Sequence, residues 1–221
     1  MTKVNIGQKL VSEESTQKSD GLPPLGLRER KKLLAQAAIE DAALRLFLER
    51  GYEQTAIQDI ADAVMMSPRT FFRYFASKEE VLFAPTKAVF NTAFASLQQR
   101  PPTEPLDAVL HATFAQIATL YQRQWPRFIL LYQVVRAAPA LESATVYYLG
   151  SLEAVLCEAL LKHSSPRLSE RRLRLLVATA MATFRVIVQD LLERKSDENL
   201  VLLVHEHLEL LLTGQLLSSD T

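Results

Sequence analysis

Between Ser67 and Lys78 the chain reads SPRTFFRYFASK, and its charged and aromatic residues recur at helical spacing. On a helix turning about 100° per residue, Phe71 and Phe75 share one face and Arg69 and Arg73 lie opposite. Thr70 and Tyr74 flank the arginines, and Phe72 sits at the other boundary. Arginine presents two parallel donors that match O6 and N7 of guanine, whereas Thr and Tyr hydroxyls more often bond phosphates. A helix packed on its phenylalanine side and open on its arginine side suits a DNA groove. Lys78 and the helix N-terminus at Thr55 are further phosphate candidates. The amphipathic spacing alone also fits a small helical core with solvated charges; the local excess of base favours DNA. Residues 64 to 78 hold Arg69, Arg73 and Lys78 and no acid, and Arg28, Arg30, Lys31 and Lys32 stand against the single acid Glu29. That second cluster predicts a basic arm ahead of the first helix, able to track phosphates or enter a minor groove.

Local signals place these residues on short helices. Ile39, Ala43, Leu46 and Phe47 recur at helical spacing, and Gly51 is placed to end that helix. Thr55 is the expected N-cap of a second helix whose apolar positions are Ile57, Ile60, Ala61 and Val64. Ser67 caps the third, with Pro68 at the first position, where a missing N–H is tolerated. Ser77 caps a fourth, and Ser77 with Glu80 fits a capping box. The fourth helix is expected over Lys78 to Gln99, with a kink near Val81 to Pro85 because proline removes one hydrogen bond and crowds the preceding turn. The packed side of the third helix, Phe71 and Phe75, is expected against Ile39, Phe47, Ile57 and Ile60.

The segment from Ala38 to Phe83 resembles the DNA-binding domain of the TetR family of transcriptional regulators. The matching residues are Leu46-Phe47, Gly51-Tyr52, Thr55, Ile60-Ala61, Ser67, Thr70-Phe71-Phe72, Phe75 and Ser77-Lys78-Glu79. The resemblance implies an all-helical homodimer on a palindromic operator, with repression relieved by an unknown small-molecule effector in the C-terminal domain. It places Thr70, Phe72, Tyr74 and Lys78 at DNA-contacting positions and Arg69 where specificity varies. The candidate DNA-binding set is thus Arg30, Lys31, Thr55, Ser67, Arg69, Thr70, Phe72, Arg73, Tyr74 and Lys78. The family's turn usually carries Ala-Gly-Val before the Ser, whereas this chain has Val64-Met65-Met66. Methionine resists the left-handed conformation a glycine accepts there, at a cost on the order of 1 kcal/mol. An architectural DNA-binding protein without a ligand, or an activator on the same fold, are the alternative functions.

The rest of the 221-residue chain is apolar and helical in pattern. Segments 104–122, 125–137, 141–163, 168–194 and 197–217 read as helices, with no convincing period-two alternation. The expected organisation is an all-α protein: a disordered tail over 1–27, a three-helix DNA-binding domain with helix-turn-helix over 28–80, and a helical regulatory and dimerisation domain over 81–221. The last two segments are apolar around most of their circumference and are the expected dimer surface. Phe114, Tyr121, Trp125, Phe128, Tyr132, Tyr147, Tyr148 and Phe184 are the aromatics that would line a ligand cavity, although for each alone ordinary core is the better reading. Arg136 and Arg185 sit in apolar helices and could meet an anionic ligand, although a surface or salt-bridged arginine is the better reading of each.

Lys and Arg number 25 against 25 Asp and Glu, so any DNA-binding charge must be local. The one cysteine, Cys157, excludes an intramolecular disulfide and a cysteine-based zinc cluster, and reads as a small buried apolar residue. His205 and His207 stand about 200° apart on a helix and cannot chelate one ion; His111 and His163 read as isolated. No Gly-rich phosphate loop or Gly-x-Ser-x-Gly is present, so neither an enzyme nor a cofactor or metal is expected. No signal sequence and no charge-free apolar run of membrane length is seen, and a cytoplasmic location is expected.

Overall fold

The computed structural model describes residues 26–163 and 169–214. Nearly all of the expected N-terminal tail, and the end of the last expected helix beyond Gly214, lie outside these residues. Among the described residues the chain forms nine helices and no strand. They are α1 Leu27–Arg50, α2 Ile57–Ala63, α3 Pro68–Phe71, α4 Lys78–Gln98, α5 Leu106–Arg123, α6 Trp125–Ala137, α7 Leu141–His163, α8 Glu170–Arg194 and α9 Leu200–Thr213. The all-α expectation holds, and the segment boundaries move by a few residues for identifiable reasons. Asn199 Oδ1 accepts from the amides of Val201 and Leu202 at 2.9 and 3.2 Å and so starts α9 three residues later than expected. Pro105, extended at ψ 142°, stands ahead of α5 and delays its start to Leu106.

The N-terminal half forms around α1. Ile39, Phe47, Ile60, Phe71 and Phe75 are all buried, as their spacing requires, while Ile57 is only half-buried. Gly51 ends α1 at φ +89°, a backbone state that L side chains rarely adopt. α4 then runs unbroken through Pro85, whose ring is buried. Val89, Phe90, Ala93, Phe94 and Leu97 along it are buried. α4 packs against α1 on one side and against α5 and α7 on another; α5 lies on α9, and α8 on α7 and α9. Arg127 on α6 reaches back to α1, with Nη2 3.2 Å from Glu40 Oε2 and Nη1 2.5 Å from Asp41 Oδ1.

One expectation needs revision. His111 is not isolated: its Nε2 lies 3.1 Å from Glu209 Oε2 on α9, and its ring centroid is 5.1 Å from that of His205. α7 and α8 are long and apolar enough to satisfy a length-and-hydropathy criterion for crossing a bilayer. Both carry charges within that length, Glu153 and Glu158 on α7 and Arg185 and Asp190 on α8, and the two helices pack on each other. Cys157 is buried, as expected of a small apolar residue.

The Val64-Met65-Met66 turn keeps the backbone geometry that a glycine would provide. Met65 is left-handed at φ +54°, its amide bonds Asp62 O at 3.0 Å, and the Met66 amide bonds Ala61 O at 2.9 Å. This pair of bonds is a Schellman closure of α2 with methionine in the strained position. The Met65 side chain is 96% exposed, so burial returns nothing against that strain. Met65→Gly is expected to raise the unfolding free energy by roughly 1 kcal/mol, read as a higher urea midpoint at unchanged slope.

Candidate DNA interface

Ser67 starts the recognition segment by accepting the Thr70 amide on Oγ at 3.2 Å, and the two hydroxyls lie 3.0 Å apart. The α-helix is shorter than the expected run to Phe75. Beyond Phe71 the bonds tighten, Arg73 N to Thr70 O at 3.2 Å and Tyr74 N to Phe71 O at 2.8 Å, while Phe75 N still reaches Phe71 O at 3.1 Å. The i→i+3 bonds turn the chain towards Ser77, and the last i→i+4 bond keeps Phe71 and Phe75 on one face. Phe71 is 0% and Phe75 4% exposed, and their rings lie 6.2 Å apart. The opposite side is open. Arg69 and Arg73 are exposed and have no ion-pair partner among the described residues; Phe72 is 54% exposed; Thr70 and Tyr74 are half-buried. Arg73 Cζ sits over the Tyr74 ring, 5.7 Å from its centroid, within cation–π range.

Two expected phosphate contacts are committed elsewhere. Thr55 is fully buried and its hydroxyl donates to Gly51 O at 2.8 Å, so its side chain cannot reach DNA. Nor does it cap α2. Ala56 holds that position, and its amide donates to Asp59 Oδ2 at 2.8 Å. An acid at that helix end already occupies the field a phosphate would use. Lys78 is the second case: Nζ donates to Tyr52 O and Thr55 O, both at 2.9 Å, and lies 4.3 Å from the Tyr52 ring centroid. Its charge is spent on fixing the loop between α1 and α2 to the start of α4.

Tyr52 and Glu79 complete that junction, a role the sequence reading did not assign them. The Tyr52 hydroxyl donates to Glu79 Oε1, and its ring packs 5.1 Å from Phe47. Partial burial pushes the Glu79 carboxyl up. Hydrogen bonds from Tyr52 and Ser77, its own amide and the Lys78 charge outweigh this and hold it below the usual glutamate value. The capping box is half realised: Ser77 Oγ accepts the Glu80 amide at 3.2 Å, but Glu80 Oε2 turns to the Ala76 amide at 2.7 Å. The signal for this junction was Gly-Tyr together with Ser-Lys-Glu, which sequence spacing does not bring together.

Arg30 and Lys31 are exposed on the first turns of α1, so the basic cluster is part of the helix and no separate arm precedes it from Leu27 onward. Gly26 offers no side-chain cap there, and the positive end of the helix dipole adds to these charges.

The expected aromatic cavity divides into three places. Phe114, Tyr121, Phe128 and Phe184 are 0–7% exposed and fill the core. Tyr121 stacks on Phe128 at 3.9 Å and meets Phe184 edge-on at 5.3 Å, leaving no space between them for a ligand. Burial pushes the Tyr121 phenol up to about 12. Trp125 and Tyr132, with Arg136, line a groove of about 750 Å³ between α6 and the end of α8. Tyr147 and Tyr148 line another, of about 530 Å³, between α4 and α7. Arg185 is exposed, as for a surface arginine. On the outer side of α8, Leu175, Thr179, Ala182 and Val186 are all exposed, and Leu202 on α9 is 65% exposed.

Residues 39–84 match the sequence model described as "Bacterial regulatory proteins, tetR family". The chain is 48% identical over 85 residues to the HTH-type transcriptional regulator TcmR of Streptomyces glaucescens, covering 38% of each chain. It is 27% identical over 130 residues to the biofilm operon icaADBC HTH-type negative transcriptional regulator IcaR of Staphylococcus epidermidis, covering 58% of this chain and 68% of that one. The match thus spans under two fifths of the length of TcmR, and 37% of HbdR from Aromatoleum. In fold, the chain is similar to Thermus thermophilus FadR, a TetR-family transcriptional repressor in complex with lauroyl-CoA. The TM-score is 0.55 at 20% identity, over 84% of this chain and 97% of that one.

The junction separates structural from electrostatic roles. Lys78→Met is expected to lower stability by about 1–3 kcal/mol, since it strips the partner from two carbonyls. It should leave the salt dependence of DNA binding unchanged, whereas loss of a phosphate contact would reduce the slope by about 0.9. Tyr52→Phe is expected to cost about 1 kcal/mol at neutral pH. Because Glu79 is depressed in the folded state, its stabilisation is present above the unfolded glutamate value and is lost as pH falls through the lower folded value. The stabilities of the variant and the parent should therefore converge in acid, as read by urea unfolding from pH 7 to pH 3.

Proposed function

We propose that this chain, which belongs to the TetR family of bacterial regulatory proteins through its N-terminal domain, is a sequence-specific transcriptional regulator. It acts in the cytoplasm, binds a palindromic operator as a homodimer, and is a repressor released by a small molecule. The observation that carries this reading is the pair Arg69 and Arg73, exposed and without ion-pair partners among the described residues, on a segment whose other face is locked by Phe71 and Phe75. Free guanidiniums on a rigid, narrow element suit bidentate reading of guanine. Thr70, Phe72 and Tyr74 flank them as backbone and thymine-methyl contacts, and Ser67 holds the helix start. Arg30 and Lys31 supply phosphate contacts from α1.

The exposed outer stripe of α8, Leu175-Thr179-Ala182-Val186, and the exposed Leu202 of α9 support the dimer reading. Small and apolar residues at that spacing let a second copy approach closely, giving a four-helix interface. Two recognition segments must then sit about 34–36 Å apart to enter successive major grooves. The ligand domain is α5 to α9 with α4 as its link to the DNA-binding half. In this reading the grooves of α4–α7 and α6–α8 replace the single aromatic cavity suggested by sequence.

Selection of binding sites from random duplex DNA with the purified chain is expected to enrich a palindrome. Arg69→Ala and Arg73→Ala should each relax one position of it, at about 1–3 kcal/mol per lost bidentate contact. Uniform, salt-sensitive binding with no enriched sequence would overturn the proposal in favour of an architectural role.

A further inference from the structure

Where α5 lies on α9, three side chains with metal-binding donors come together: His111 of α5, and His205 and Glu209 of α9. None of them lines either groove. His205 and Glu209 are four residues apart, so they project from one face of α9 on successive turns. His207 is engaged elsewhere, its Nδ1 2.8 Å from Leu203 O. His111 Nε2 lies 3.1 Å from Glu209 Oε2, but the pair is not in hydrogen-bond geometry: both ring nitrogens of His111 are buried and make no hydrogen bond. Buried polar atoms are normally partnered. A neutral ring nitrogen and a carboxylate oxygen at that distance both offer lone pairs, and a cation between them satisfies both. The separations fit such an ion. Two donors bound at about 2.0–2.1 Å to a tetrahedral ion stand about 3.3 Å apart, and two imidazoles so bound have ring centres about 5 Å apart. The observed separations are 3.1 Å for the Nε2–Oε2 pair and 5.1 Å for the rings of His111 and His205. As the side chains stand, no three such groups among the described residues enclose an ion. His205 is exposed, so its ring is free to turn toward the pair.

We propose that His111, His205 and Glu209 form a binding site for a divalent transition ion of the zinc class, with one position left to water. Two imidazoles and a carboxylate suit Zn²⁺ and related ions, whereas Mg²⁺ and Ca²⁺ prefer oxygen donors alone. Glu209 brings a negative charge to the ion, and its one ion pair among the described residues is with His111 itself. The ion bridges α5 and α9, so its binding stabilises the C-terminal half. The site does not depend on the regulator reading and involves no residue of the DNA interface.

The test is titration of the full chain, purified without a polyhistidine tag, with Zn²⁺ by calorimetry and with Co²⁺ by visible absorption. One Zn²⁺ per chain, half-saturating below about 0.1 mM, is expected, with Co²⁺ absorption of tetrahedral strength. A raised thermal unfolding midpoint should accompany Zn²⁺ and not Mg²⁺. His205→Ala and Glu209→Gln, both at exposed positions, should each weaken Zn²⁺ at least tenfold while the metal-free midpoint is retained. His207→Ala should leave the affinity unchanged. Weaker or non-saturable binding, an equal response to Mg²⁺, or affinity indifferent to the His205 and Glu209 substitutions would overturn the site. So would an equal loss in His207→Ala, or half an ion per chain, which places the ion between two copies. Weak Co²⁺ absorption of octahedral type would overturn the tetrahedral geometry.

Discussion

The ammonium of Lys78 is held by the carbonyls of Tyr52 and Thr55, and the shape of the DNA-binding half depends on it. Those carbonyls sit in the loop that follows Gly51, where the backbone has left α1 and not yet entered α2. Such a loop has few internal bonds, so its position must come from outside. Lys78 supplies it from the first residue of α4, and the Tyr52 hydroxyl returns the connection to Glu79. The loop, α2 and the start of α4 therefore move together, and α3, strung between Ser67 and Ser77, has little freedom left. Rigid presentation matters because a bidentate contact to a base edge tolerates little angular error.

α4 carries the consequences into the rest of the chain. Its first turn holds the junction, and its middle places Phe90 and Phe94 against the aromatic core. The same helix forms one wall of the α4–α7 groove. Glu80 belongs to both the joint and the groove: its amide bonds the Ser77 cap, one carboxylate oxygen the Ala76 amide, and the other lies near Lys87. A side chain shared by a joint and a groove is a short physical route between them, requiring no displacement of the packed core. Arg127 provides a second connection, from α6 to the acids of α1. Burial pushes Glu40 up, while the Arg127 charge pulls it down.

The core explains why the two grooves lie at its edges. Tyr121, Phe128, Phe184, Phe114 and Phe90 contact one another as stacked, tilted or edge-on rings. Interiors pack to the density of organic crystals, so rings in such contact exclude anything else. What remains open is where two helices diverge and a polar face begins: between α4 and α7, and between α6 and the end of α8.

Much of the fold and part of the site could be read from sequence, because they depend on neighbours in the chain. Helix spacing, the Ser67 and Ser77 caps, Gly51 as a stop and the two-sided character of Phe71, Phe75, Arg69 and Arg73 are all local, set by periodicity and by backbone groups a few residues away. The strained turn at Met65 was likewise foreseeable from residue type alone. Tertiary structure decided which polar groups remain free. Lys78 and Thr55 look available for phosphate in sequence, yet one is drawn to carbonyls 23 and 26 residues away and the other is buried against Gly51. Likewise, eight aromatics look alike in sequence, and only packing separates those that fill the core from those left lining a groove. The sequence determines what each residue is able to bond; the fold determines which partner arrives first, and a group already satisfied has nothing left for a ligand.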